Sequence, residues 1–206
     1  MSLGELVAQV GQADVAMFRF VNHTLYWRPA ADLTFYLAND YFLMAVLAVV
    51  VLGYLWLRGW RSTLILAVWS ALALLASNVA HNSLFKPFFD RPRPFIALAD
   101  VHLSACLKDL SSVSLSFPST HASSAAALAM VASHLDPRLR AGVCLFALAV
   151  GWGAVYSGGH YPVDVMVGYA VGTGLGWVLN KFSDWTWPGP AGQAMSSKQT
   201  PTGSCK

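Results

Sequence analysis

Charge is what this 206-residue chain has least of: Asp, Glu, Lys and Arg make up 11% of it, against 56% hydrophobic residues. A soluble domain carries about 25% charged residues, so this chain lacks the means to clothe a water-facing surface. Cysteine is scarce as well. Cys106, Cys144 and Cys205 form neither a disulfide framework nor a metal-ligand spacing, and read as unpaired thiols without function. The N-terminus has no basic segment followed by an apolar core, so no cleaved signal peptide is expected and insertion falls to the first membrane helix. Internal repeats and nucleic-acid motifs are missing too, and a nucleic-acid partner is not expected. The length suits one domain. The net charge is only +3, so the placement of charge says more than its sum.

What the chain does have is uncharged sequence in runs near the 20 or so residues that cross a bilayer as helix, with a mean hydropathy of +0.51. An all-α polytopic membrane bundle of about five spanning helices is expected, at 41–57, 62–85, 118–135, 141–156 and 162–182. The run 118–135 is rich in Ala and Ser, and the last carries Gly168, Gly172, Gly174 and Gly176; small residues of this kind let helices pack closely in lipid. Ahead of them, Leu6, Val10, Val15, Phe18, Val21 and Leu25 recur at helical spacing, interrupted by Glu5, Asp14 and Arg19. Two readings stand for that segment: an amphipathic helix lying in the interface, or an additional, partly polar span. The whole divides into a membrane domain over 1–182, with 1–40 the interfacial region and 41–182 the spanning bundle, and a polar, disordered tail over 183–206.

Arg58 and Arg61, Arg138 and Arg140, and Lys181 fall on one side of this topology. The positive-inside rule makes that side cytoplasmic. The long polar segment 86–117 and the turn 157–161 then face outward. Three chemistry-bearing segments meet there: Lys86-Pro-Phe-Phe-Asp-Arg-Pro-Arg-Pro94, Phe117-Pro-Ser-Thr-His121 and Gly158-Gly-His-Tyr-Pro-Val-Asp164. Lys86 and Arg93 offer positive charge and a forked donor suited to phosphate oxygens. Ser119 and Thr120 open a helix after Pro118, and helix starts bind anions through their unused N–H groups. His121 has the acid–base range for proton transfer near neutral pH. Asp164, four residues beyond His160, is placed to hold one ring nitrogen and leave the other as a nucleophile. Asn78, His81 and Asn82, on the helix leading to Lys86, serve as pocket wall or as hydrogen-bonded helix glue.

These segments resemble the three signatures of the type 2 phosphatidic acid phosphatase family. Its Lys, six residues, Arg-Pro is Lys86 to Arg93-Pro94. Its Pro-Ser-Gly-His is matched by Pro118, Ser119 and His121. The latter half of its Ser-Arg, five residues, His, three residues, Asp is matched by His160 and Asp164. The resemblance covers about 62–182 and implies a helical fold, a metal-independent reaction and no cofactor. It further implies that His160 attacks phosphorus, Asp164 orients His160, His121 protonates the leaving oxygen, and Lys86, Arg93 and Ser119 hold the phosphate. Within the family the small size resembles bacterial undecaprenyl pyrophosphate phosphatases. The expectation is therefore a hydrolase of the bacterial inner membrane, acting at its outer face on a lipid phosphate or pyrophosphate, with undecaprenyl pyrophosphate favoured.

Two departures stand out. Thr120 replaces the family glycine of the second signature. Ala154 and Gly153 stand where the third has Arg and Ser, so a phosphate-binding guanidinium is missing, a loss that costs on the order of 100- to 1000-fold in rate. Arg91 is the nearest substitute. The rivals are a lipid phosphotransferase and, because of Ala154, a low-activity or non-catalytic binder of lipid phosphates. Oligomeric state is not legible.

Overall fold

A computed structural model of the chain describes residues 2–30, 33, 40–103 and 115–186. Among them regular structure is helical throughout. The helices are α1 (Leu3–Arg19), α2 (Asp40–Arg58), α3 (Trp60–Ala80), a short α4 (Pro94–Ala97), α5 (Thr120–Leu135), α6 (Arg140–Tyr156) and α7 (Pro162–Thr186). A π-helical turn prolongs α1 over Phe20–Thr24 and another prolongs α3 over His81–Phe85. The chain is thus a polytopic membrane helix bundle. Three helical stretches have the length and hydropathy to cross a bilayer: Trp60–Phe85, Pro137–Tyr156 and Pro162–Trp185. Helices also stand at the other two expected spans, as α2 and α5. Helix α7 runs on to Thr186, so the segment expected as tail begins as helix. Residues 187–206 and the serine-rich stretch 104–114, with Cys106 and Cys205, lie outside the described residues.

Helix α5 is the centre. It has 16 residues, most of them buried Ala and Ser, and α3, α6 and α7 surround it. Its small side chains let α7 come close. A Cβ added to Gly168 would lie 2.6 Å from the Ser119 carbonyl oxygen, and one on Gly172 would lie 2.0 Å from that of Ser123. Neither position has room for a side chain, so the glycine face of α7 is the condition for this approach. On its other side α5 is held to α3 by hydroxyls: Ser77 Oγ donates to Ser123 Oγ at 2.9 Å, and Ser124 Oγ to Ser77 Oγ at 3.1 Å. Leu75, Val79, Leu145, Leu148 and Met166 instead face outward, as expected where the solvent is lipid.

The two ends of the bundle differ. At one, Arg58 pairs with Asp136 at 3.0 Å, joining the α2–α3 and α5–α6 turns. Burial acts to raise the Asp136 pKa, but the Arg138 amide and the Arg58 guanidinium outweigh it and hold the carboxylate below its usual range. Exposed Trp56, Trp60 and Trp185 ring this end, the placement of an interfacial aromatic belt. At the other end lie the three motifs and α1. Ser2 caps α1 in a reciprocal box with Glu5. Asp14, Phe18 and Asn22 turn inward and are buried, while Leu6, Val7, Val10 and Met17 are exposed. Asn22 Nδ2 donates to the carbonyls of His102 (2.8 Å) and Tyr156 (3.2 Å). Tyr156 Oη donates to Leu25 O at 2.8 Å and accepts from the Trp27 amide at 2.7 Å. The segment is thus bound to the motif-bearing end of the bundle by its polar side and leaves an apolar side outermost.

Candidate active site

Backbone hydrogen bonds sew the three motifs together. The Ser116 amide donates to Arg91 O at 2.8 Å, the Ser119 amide to Asp164 O at 3.0 Å, and the Gly159 and His160 amides to Ala154 O at 3.1 and 3.0 Å. Pro92 and Leu115 form an isolated antiparallel bridge. Ser119 is wholly buried and caps α5, its Oγ accepting from the Ala122 amide at 3.4 Å. Thr120 is the first residue of α5 and His121 lies in its first turn. His160 follows Gly158, whose φ of +88° favours glycine and whose Cβ would meet Val101 at 2.9 Å.

His160 is buried. Its Nδ1 lies 2.9 Å from the Ser116 carbonyl oxygen and 3.8 Å from Asp164 Oδ2. The expected hydrogen bond to Asp164 is therefore longer than hydrogen-bond reach, and a backbone carbonyl takes its place. With two oxygens facing it, Nδ1 carries the ring proton, and Nε2 is left with a lone pair. Burial pushes the His160 pKa down to about 4; Asp164 opposes this, while the charges of Arg93 and His121 add to it. The imidazole is neutral at neutral pH.

Asp164 is fully buried and shared among three groups. Ser116 Oγ makes a short hydrogen bond to Oδ2, the Tyr161 amide donates to Oδ2 at 2.9 Å, and Arg91 Nη1 donates to Oδ1 at 2.6 Å. Arg91 also reaches Asp14: Nη2 to Oδ2 at 2.6 Å. The guanidinium stacks 4.0 Å over the Tyr161 ring. Asp14 Oδ1 in turn accepts from the Val163 amide at 2.9 Å, satisfying one of the unpaired donors at the start of α7. Arg91 thus lies between two carboxylates, with Nη1 and Nη2 each paired.

Arg93 differs. Its Nη1 approaches Gly159 O at 3.5 Å, and its buried Nε has no hydrogen-bond partner. Burial lowers its pKa from the ordinary value, with Asp164 opposing, yet a guanidinium remains a cation at neutral pH. A half-buried guanidinium with its Nε unused beside a neutral imidazole suits an incoming oxyanion. Lys86 is tied to its own helix end, Nζ donating to Asn82 Oδ1 at 3.0 Å. His81 is buried with Nδ1 2.9 Å from Ser77 O. Ala154 is buried in an apolar cluster with Phe18, Ala122, Val155, Tyr161 and Val165, so no charge replaces the family's arginine at that position.

Asp14, Ser116 and Tyr161 escape the sequence. A carboxylate among helically spaced apolar residues was the one signal for Asp14; Ser116 and Tyr161 act through backbone groups and a ring face, for which residue type gives no signal.

A family model described as the PAP2 superfamily matches residues 66–188. Undecaprenyl-diphosphatase BcrC of Bacillus subtilis (strain 168) is 27% identical over 130 residues, 63% of this chain and 64% of BcrC, so the match spans a little under two thirds of that relative's own length. The crystal structure of Aquifex aeolicus LpxE superposes with a TM-score of 0.62 at 29% identity, covering 81% of this chain and 94% of that one. The transmembrane PAP2-type phosphatidylglycerolphosphate phosphatase from Bacillus subtilis has a TM-score of 0.60 at 22% identity, covering 87% and 89%; at that identity the likeness is one of fold. The matched residues 66–188 take in more than half of the chain and all three motifs, and the chain belongs to the PAP2 superfamily.

Proposed function

We propose that this protein hydrolyses a lipid phosphate or pyrophosphate through a phosphohistidine at His160, with undecaprenyl pyrophosphate the favoured substrate. The observation that carries the reaction is the neutral, Nδ1-anchored imidazole of His160 beside the unpartnered Nε of Arg93. Nε2 attacks phosphorus as the bond to the leaving oxygen breaks, and His121 gives that oxygen a proton. Water then attacks the phosphohistidine, yields its proton to His121, and frees inorganic phosphate and the imidazole. Arg93, Lys86, Ser119, Thr120 and the amides opening α5 hold the phosphoryl oxygens. Arg91 holds Asp164, and through it the imidazolium-like charge that develops on His160. The substrate preference rests on the likeness to BcrC. The basic turns at the end of the bundle opposite the site support an inner-membrane protein with its site facing outward.

Ala154 favours a second reading, a weakly active or non-catalytic binder of lipid phosphates, because the apolar cluster around it supplies no guanidinium. One experiment separates the two. Phosphate release is measured in detergent from undecaprenyl pyrophosphate and phosphatidic acid, with the chain as it stands, with Ala154→Arg and with His160→Ala. Hydrolysis by the unaltered chain that falls to background in His160→Ala, with lipid binding kept, is the expected result. Activity only in Ala154→Arg identifies a disabled site, and persistent turnover in His160→Ala removes it as nucleophile.

A further inference from the structure

The end of the bundle away from the active site holds a cavity that the phosphatase reaction does not use. Helices α6 and α7 both pack on α5 and scarcely touch each other. Between them, floored by α5, a groove of about 540 Å³ opens to the side of the bundle. Its upper end is closed on the active-site side by Tyr169, whose hydroxyl crosses from α7 to donate to Ala147 O at 2.6 Å. Its inner walls are apolar, Ala129 and Ala147 among them. Towards the α5–α6 turn the lining becomes polar: Ser133, Asn180 and the exposed Arg140.

Two of these polar groups have no partner. Ser133 Oγ and Asn180 Oδ1 make no hydrogen bond, and the residues are 9% and 8% exposed. Asn180 Nδ2 is satisfied by Met130 O at 3.3 Å, which fixes the amide with its oxygen unused. Buried polar atoms are nearly always paired, so an orphan pair lining one groove marks a missing partner. The groove grades from apolar depth through two orphan hydrogen-bonding groups to a cation at the mouth, on the end ringed by Trp and Arg. That is the profile of a phospholipid: acyl chain, glycerol-ester region, phosphate.

We propose that the α6–α7 groove is a binding site for a glycerophospholipid of the leaflet opposite the active site, its acyl chain between the helices, its glycerol region at Ser133 and Asn180, and its phosphate at Arg140. The Tyr169 bridge separates this site from the catalytic motifs, so its occupant is a resident lipid and not the substrate's tail.

The test is native mass spectrometry of the full chain in detergent titrated with dioleoyl phosphatidylglycerol. Thr173→Trp places a large side chain in the groove from an exposed position of α7, and Arg140→Gln removes the cation. Arg140→Gln should weaken lipid retention by about tenfold, the scale of one charged hydrogen bond, and Thr173→Trp, which fills the groove, by at least as much, while Leu75→Trp on the outer face of α3 should leave it unchanged. Retention equal to the parent in both groove variants overturns the site. So does stoichiometric displacement of the phospholipid by undecaprenyl phosphate, which would make the groove the path of the substrate tail. Binding is read without turnover, so the outcome is independent of the reaction proposed above.

Discussion

The chemistry of His160 depends on where its ring proton sits, and the Ser116 carbonyl decides that more directly than Asp164 does. A folded-state pKa of about 4 against an ordinary 6.5 has a definite sign. Between those values the unfolded chain binds the proton and the folded chain does not, so His160 favours folding above pH 6.5 and that contribution is lost as pH falls towards 4. The proposed nucleophile stays neutral over the same window. The acid limb of kcat/KM assigned to His160 should therefore fall near pH 4, and a limb near an unperturbed histidine value would show the ring to be solvated in the working enzyme. Asp14 is the second residue to test. Asp14→Asn keeps an acceptor for the Val163 amide but removes the charge facing Arg91, so kcat/KM should drop about tenfold, the worth of one charged hydrogen bond, with the lipid still bound. His160, Asp164 and Arg93 could be singled out as candidates because each sits in a motif at family spacing, and the structure brings the three motifs to one end of the bundle. Ser116 and Asp14 were not, because their roles arise from folding: one is a carbonyl placed by the Arg91–Ser116 pairing, the other a carboxylate brought in from a distant helix. The pairing of Arg91 was hidden for the same reason, since its partner Asp14 is 77 positions away.

At the scale of the element, the approach of α7 to α5 sets the site, since it brings the Asp164 carbonyl onto the Ser119 amide. Gly168, Gly172 and Gly176 share one face of α7, and a Cβ on each would fall within 2.6 Å of α5. Gly172→Leu must push the helices apart. Overpacking of this kind costs about 1–3 kcal/mol, and the strain falls on the contact that aligns motifs two and three, so both the melting temperature in detergent and phosphatase activity should fall. Gly174 has nothing within 4 Å of its added Cβ, and Gly174→Ala should leave both intact or raise stability slightly. Equal loss in the two variants would point to helix propensity instead of packing. The sequence groups Gly168, Gly172, Gly174 and Gly176 on one packing face. The structure keeps three of them there and takes Gly174 off it, with open space beside its added Cβ. The position of α5 as hub was less legible, since its Ala/Ser composition signals close packing without saying against how many neighbours.

For the whole molecule, the unexpected feature is that α1 is part of the site. Composition left its segment between an interfacial helix and an extra span. The docked contacts of Asp14, Asn22, Tyr26 and Trp27 bind it to the end of the bundle where the motifs meet, and its exposed Leu6, Val7, Val10 and Met17 form an apolar outer side. The arrangement couples the docking of α1 to the geometry of Asp164 through a chain of two ion pairs, Asp14 to Arg91 and Arg91 to Asp164, each at 2.6 Å. Removing residues 2–26 would leave Arg91 with one carboxylate, unpair the Val163 amide and uncover Tyr161, Tyr156 and Ala154. The spanning helices do not depend on α1 for their mutual packing around α5, so the truncated chain should still insert. Its phosphatase activity should fall by at least the tenfold expected for Asp14→Asn, and further by the loss of Phe18 from the cluster beneath His160; burying Phe contributes about 1.5–3 kcal/mol. The check is activity of the truncated protein in nanodiscs beside Asp14→Asn. A truncation no worse than the point variant would reduce α1 to the carrier of one carboxylate, and full activity in both would detach it from the site.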